Sequence, residues 1–153
     1  EMTDDMWNRV MDVNVTGVMR LSRAAIPMFE ANGSGVFVTV GSKASLGAGA
    51  AGTAYATSKH AVIGLVKSIA YLYGPKGIRS NAVLPGAVAT AIASSAMPEV
   101  PWAFERAMQA MASAGPKVAE PDEVAAAISW LASSEASNIN GAILTVDNGW
   151  ASA

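Results

Sequence analysis

The sequence predicts an α/β fold built on a parallel sheet. Three observations carry this reading: short β-branched runs at residues 36–40, 78–84 and 142–146, helical apolar spacing between them, and Gly or Pro turn signals at the joints. Short apolar strands alternating with amphipathic helices require right-handed crossovers, and these produce a parallel sheet covered on both faces. The 153 residues suit one domain with no internal repeat or boundary, and 52% hydrophobic content is enough for a substantial core.

Taken in order, residues 4–30 place Trp7, Val10, Met11, Val18, Leu21, Ala25 and Met28 at helical intervals, predicting one helix whose last turn Pro27 bends or frays. Asn32-Gly33-Ser34-Gly35 is a turn cluster, and Val36-Phe37-Val38-Thr39-Val40 reads as a buried strand. Residues 42–52 are rich in small side chains and predict a loop, followed by a helix over 53–73 that Gly74-Pro75 and Lys76-Gly77 stop. A second strand over 78–84 ends at Pro85-Gly86. Residues 87–117 read as irregular or weakly helical, with Pro98, Pro101 and Pro116 as breaks. Pro121 suits the first turn of a helix running to Ala132, and Asn140-Gly141 turns into the third strand.

Composition narrows the function classes. Ten basic and twelve acidic side chains are spread along the chain for a net charge of −2, so no basic patch points to nucleic acid. Without cysteine there are no disulfides or thiolate metal sites, and no metal site is expected. No apolar run is long enough to span a bilayer, and Glu1-Met2-Thr3-Asp4-Asp5 does not read as a signal peptide. The glycosylation triplets at Asn14 and Asn32 are therefore read as chance, and the expectation is a soluble cytoplasmic protein.

Gly47-Ala-Gly49-Ala-Ala-Gly52 matches G-x-G-x-x-G, the pattern of dinucleotide-binding loops. Such glycines must follow a strand directly so that backbone and helix N-terminus meet a pyrophosphate. Here the strand ends near Gly41, and Lys67 and Ser68 stand where an acidic residue is needed, so the match is rejected.

The chemistry lies elsewhere. Tyr55 and Lys59 are four residues apart on a predicted helix and share a face. A phenol is a poor acid–base catalyst near neutrality, and a neighbouring ammonium favours the phenolate. Such pairs are also common on solvated helix faces, so context decides. Ser42 ends the first strand thirteen positions before Tyr55, where its hydroxyl can face the same cleft. Asn14 interrupts the apolar stripe between Val10 and Val18, where a buried amide needs partners. The segment from Asn81 to Thr90 carries Pro85-Gly86 at the carboxyl end of a strand, where α/β sheets bind ligands.

Together these segments resemble the short-chain dehydrogenases/reductases. The resemblance spans essentially the whole chain: Met11-Asp12-Val13-Asn14-Val15-Thr16-Gly17, Ser42 with Tyr55-Ala-Thr-Ser-Lys59, Asn81 through Thr90, Trp130-Leu131-Ala132-Ser133, and Gly141 through Gly149. Each motif is modest, and their order and spacing are specific. The resemblance implies a Rossmann-like doubly wound sheet, of which these residues form a partial domain, the carboxy-terminal catalytic half with three strands. It implies an oxidoreductase that interconverts an alcohol and a carbonyl with NAD or NADP.

By the same resemblance Tyr55 is the general acid/base, Ser42 holds the substrate oxygen, and Lys59 favours the phenolate and binds the nicotinamide ribose. Asn14 holds a water that relays protons from Lys59. Pro85, Gly86 and Val88 form a shelf beside the nicotinamide, with Val88 and Thr90 at its carboxamide. Gly41 stands where the family often has a second serine, and Lys43 follows Ser42. The family's glycine-rich turn and its cofactor-choosing residue precede the Asn14 helix and are expected outside these residues.

Other features carry weaker expectations. His60 points about 100° away from Lys59 around the helix and is read as a surface or interface residue. Met97, Trp102, Phe104, Met108 and Met111 form either local packing or an adaptable substrate lid. Trp150 is placed at a subunit interface or near that lid. Apolar Ile63, Val66, Ile69 and Tyr71 make the Tyr55 helix a candidate pairing face, which with family habit implies a homodimer or homotetramer. The rival readings are an epimerase or dehydratase sharing Tyr-x-x-x-Lys, and an inactive piece serving only as an oligomerisation module.

Overall fold

A computed structural model describes residues 2–48, 51–92, 100–114 and 117–152. Three strands, β1 (Gly35–Val40), β2 (Ile78–Pro85) and β3 (Ile143–Val146), pair in parallel in the order β1-β2-β3. Val40 lies opposite Val83 and Pro85 opposite Val146, so the strands finish at one carboxyl edge. Among the described residues are helices α1 (Asp4–Met11), α2 (Gly17–Asn32), α3 (Thr53–Tyr73), α4 (Pro101–Ala114) and α5 (Pro121–Ala132).

The alternation along β2 builds both faces of the core. Ala82 and Leu84 point to one side, where Val62 and Val66 of α3 meet them. Val83 points to the other, against Val124 and Leu131 of α5. Phe29 of α2 packs edge-on against Phe37 of β1, with ring centroids 5.0 Å apart. Helices thus cover both faces of the parallel sheet, as the strand and helix pattern predicts. Arg79 ties α5 to β2: its guanidinium donates to the carbonyls of Leu131, Ile139 and Ser133.

Several sequence expectations are corrected. The helix predicted over 4–30 is two helices joined by a π turn, Asp12–Thr16, in which the Gly17 amide reaches back to the Asp12 carbonyl. α2 continues through Pro27 and two residues past the predicted end. The helix runs to Asn32 because Gly33, at φ 69°, closes it left-handedly with amides bonded to Glu30 and Phe29. The loop predicted over 42–52 contains a 3-10 turn, Lys43–Ser45. Residues 101–114, within the stretch predicted irregular or weakly helical, form the regular helix α4, because Pro101 does not break it but sits at its first position, where a missing amide costs nothing. Val66 and Ile69 are buried rather than available for pairing, and Ile63 packs against the core. Gly49, Met97, Pro98 and Pro116 lie outside the described residues. Among the described residues no helix is long and apolar enough to cross a membrane.

Candidate active site

The site forms at the carboxyl edge of the sheet, between the end of β1, the shelf after β2 and the first turns of α3. β1 continues past Val40 through a bond from the Gly41 amide to the Val83 carbonyl at 2.8 Å. Counting on from that register brings Ser42 level with Pro85. Ser42 then caps the 3-10 turn: its Oγ accepts from the Ala44 amide at 3.1 Å, and its own amide donates to Ser45 Oγ at 3.2 Å. With a lone pair of the oxygen so engaged, the hydroxyl hydrogen is left as a donor. Ala44 and Ser45 are buried, and the turn packs on α3.

Tyr55 and Lys59 lie one turn apart on α3, as the four-residue spacing requires. Lys59 Nζ is 5.6 Å from the centroid of the Tyr55 ring and donates to the Val40 carbonyl at 3.1 Å. No carboxylate among the described residues pairs with it. Burial lowers the Lys59 pKa below the ordinary lysine value, because the ammonium has lost part of its hydration. Two of its three N–H donors remain for a ligand.

Asn14 lies in the π turn and is half-buried; its Nδ2 donates to Ser58 Oγ at 3.0 Å. Ser58 is fully buried and in turn donates to the Tyr55 carbonyl at 2.7 Å. The structure therefore brings Asn14 to the Tyr55–Lys59 turn through Ser58, an intermediary that sequence reasoning passed over. Its only signal was a hydroxyl inside Tyr55-Ala-Thr-Ser-Lys59. His60 is exposed with Nδ1 2.9 Å from the Ala56 carbonyl, away from this cluster.

The shelf is shaped by close approach. A side chain on Gly86 would place its Cβ 2.9 Å from Asp147 Cβ and 3.0 Å from Asp147 Cα, tighter than real contacts allow. The Gly86 amide donates to the Val146 carbonyl at 3.1 Å. Val88 bridges to Ala119, and that bridge uses the Ala87 carbonyl and the Ala89 amide. The amide and carbonyl of Val88 itself point to the opposite side, while its side chain packs into the core beside Val83 and Val124. Thr90 is exposed, and its amide donates to the Val88 carbonyl at 2.8 Å.

Asp147, part of the Gly141–Gly149 segment but given no role from the sequence, is buried and accepts from the amides of Gly149 and Ala151. It thereby folds the 3-10 turn Trp150–Ser152 back toward the site. Trp150 is buried within this chain rather than held for an interface, with Lys43 Nζ 5.1 Å from the centroid of its ring.

Residues 1–151 match the protein family described as enoyl-(acyl carrier protein) reductase. The short chain dehydrogenase adrF of Penicillium rubens is 39% identical over 97% of this chain and 61% of its own length. The chain belongs to the short-chain dehydrogenase/reductase family. Another family member, 3beta-hydroxysteroid dehydrogenase 2 of Eggerthella lenta, is 40% identical over 98% of the chain and 58% of its own length. Among solved structures, gluconate 5-dehydrogenase from Burkholderia cenocepacia, in complex with NADP and tartrate, superposes with a TM-score of 0.86 at 28% identity. It covers 99% of this chain and 58% of that one. A 4-hydroxyisoleucine dehydrogenase complexed with NADH gives 0.82 at 28% identity, covering 100% and 63%. The fold is thus the Rossmann-like fold of short-chain dehydrogenases/reductases, matched over part of its length, and the chain spans about 60% of the curated relatives.

Proposed function

We propose that residues 1–153 are a partial domain of a cytoplasmic oxidoreductase that interconverts an alcohol and a carbonyl with NAD or NADP. The observation that carries this reading is Lys59, a half-buried ammonium with no carboxylate partner among the described residues, beside the Tyr55 ring at the sheet's carboxyl edge. Burying a cation costs free energy, and a paired carboxylate would cancel its pull on a phenolate. The arrangement fits proton transfer better than stability.

The residues suit a nicotinamide nucleotide. The two remaining Lys59 donors match ribose hydroxyls, and the Gly86 approach to Asp147 leaves a flat backbone shelf with Pro85. Val88 turns its own amide and carbonyl away from Ala119, which suits a carboxamide, with Thr90 beside it. When bound, the cofactor supplies or takes up the hydride. Tyr55 gives a proton to the substrate oxygen in reduction and takes it back in oxidation, while the Ser42 hydroxyl donates to the same oxygen and holds it in line. Asn14, its Nδ2 held by Ser58, offers its side-chain oxygen to a water that relays protons to Lys59. Trp102, Phe104 and Met108 of α4 are exposed and offer apolar surface to a substrate.

The test is absorbance of reduced nicotinamide in the full-length protein, assayed with secondary alcohols and ketones. Lys59→Met is expected to lower kcat/KM at least about a hundredfold. Because burial lowers its pKa, Lys59 loses its proton at lower pH than an exposed lysine, so activity falls on an alkaline limb. Lys59→Arg, which keeps its charge, moves that limb upward. No turnover with any substrate pair, or a Lys59→Met variant at the parent rate, overturns the reading.

The same proposal includes a homodimer or homotetramer. Leu21 and Met28 of α2 and Tyr71 and Leu72 of α3 are each at least 60% exposed, which leaves apolar side chains on both helices available to a second copy. Light scattering of the full-length protein is expected to give a multiple of the monomer mass; a stable monomer at micromolar concentration contradicts it.

A further inference from the structure

We propose that Lys43 is a positioning residue for this reaction, holding the Ser42 hydroxyl at a set distance from the Gly86 shelf through its seat on the Trp150 ring. The inference rests on the oxidoreductase reading above. Three contacts form the chain of support. Ser42 opens a 3-10 turn whose next residue is Lys43, so the Lys43 backbone and the Ser42 oxygen move together. Lys43 Nζ sits 5.1 Å from the centroid of the Trp150 ring, and no carboxylate among the described residues pairs with it. Trp150 is itself fixed, buried in a turn whose amides bond to Asp147: Trp150 to the Asp147 carbonyl at 3.1 Å, Gly149 and Ala151 to its carboxylate.

Asp147 closes the circuit, because its Cα and Cβ lie directly against Gly86. The shelf and the hydroxyl belong to different strands, and the ladder between them stops at the Gly41 amide. Beyond that point the Lys43–Trp150 contact is a brace across the mouth of the site. Displacing a positioned group by about 1 Å can cost orders of magnitude in turnover without touching the reacting atoms. A cation over an indole face is strong enough to hold a short turn and weak enough that its loss leaves the fold standing.

The experiment compares Lys43→Met, Lys43→Arg and Trp150→Leu with Tyr55→Phe in the full-length enzyme. Lys43→Met is expected to lower kcat about tenfold while leaving the NAD(P) dissociation constant and the melting temperature near their parent values. Lys43→Arg keeps a cation over the ring and restores kcat to within about twofold. The Lys43→Met/Trp150→Leu double variant is expected to be no slower than the slower single variant, since both remove one contact. If Trp150→Leu does not fold, the Met and Arg pair at position 43 still decides. Parent-like kcat in Lys43→Met, no recovery with Arg, or multiplying effects in the double variant overturns the inference. Loss of Lys43→Met turnover only in step with melting temperature and cofactor affinity overturns it as well. Should Tyr55→Phe itself turn over normally, the oxidoreductase reading fails, an outcome separate from any result at position 43.

Discussion

Replacing Tyr55 with Phe in the full-length protein is expected to leave fold and cofactor binding intact and to lower turnover at least about a hundredfold. The structure explains why so little else changes. The bond that Tyr55 makes to its surroundings runs through its backbone carbonyl, which accepts from Ser58 and survives the substitution. The ring stays, and with it the neighbourhood of Lys59. Only the hydroxyl goes, the group proposed to exchange a proton with the substrate oxygen. Steady-state kinetics, thermal melting and a nicotinamide titration on one preparation separate the possibilities. Near-normal kcat in the folded variant rules Tyr55 out as the acid/base.

The 153-residue chain produced alone is expected to self-associate, to show no hydride transfer, and to bind NAD or NADP more weakly than about 1 mM. β1 pairs with β2 along one side only, and its other edge has no partner strand among the described residues. That edge is Gly35-Val36-Phe37-Val38-Thr39-Val40, apolar and without a charge to discourage pairing with another copy. In the proposed reading the site takes only the nicotinamide end of a dinucleotide. A pyrophosphate needs the backbone amides of a glycine-rich turn directly after a strand, and among these residues the one matching pattern does not follow a strand. Light scattering and calorimetric titration with each nucleotide provide the check; a monodisperse chain binding either one at micromolar concentration contradicts the expectation.

The parts of the site that sequence reasoning reached are those set by local periodicity. Tyr55 and Lys59 share a face because a helix brings every fourth residue into line, and Ser42 follows a recognisable strand. The strands were legible for the same reason: β-branched runs between turn residues. What stayed hidden depends on packing between distant segments. Asn14 meets Ser58 across 44 positions, and Lys43 meets Trp150 only because Asp147 folds the last turn back. What a proline signals depends on its place in the helix. Pro101 was read as a break although it opens α4, under the same rule that placed Pro121 correctly at the start of α5. Pro27 lies inside α2, which the Phe29–Phe37 contact and a left-handed Gly33 carry on to Asn32.

The π turn at Asp12–Thr16 makes the length of its helix matter more than its composition. Such a turn is one residue in excess of an α-helix, absorbed by a wider loop of backbone, and it is costly enough to be rare outside functional sites. Each residue inserted or removed there rotates everything on one side by about 100° relative to the other. A deletion that regularised the helix would improve its backbone geometry while swinging either α1 off α3 or the Asn14 amide off Ser58. Between Met11 and Gly17, then, this chain can exchange one side chain for another far more readily than it can gain or lose a position.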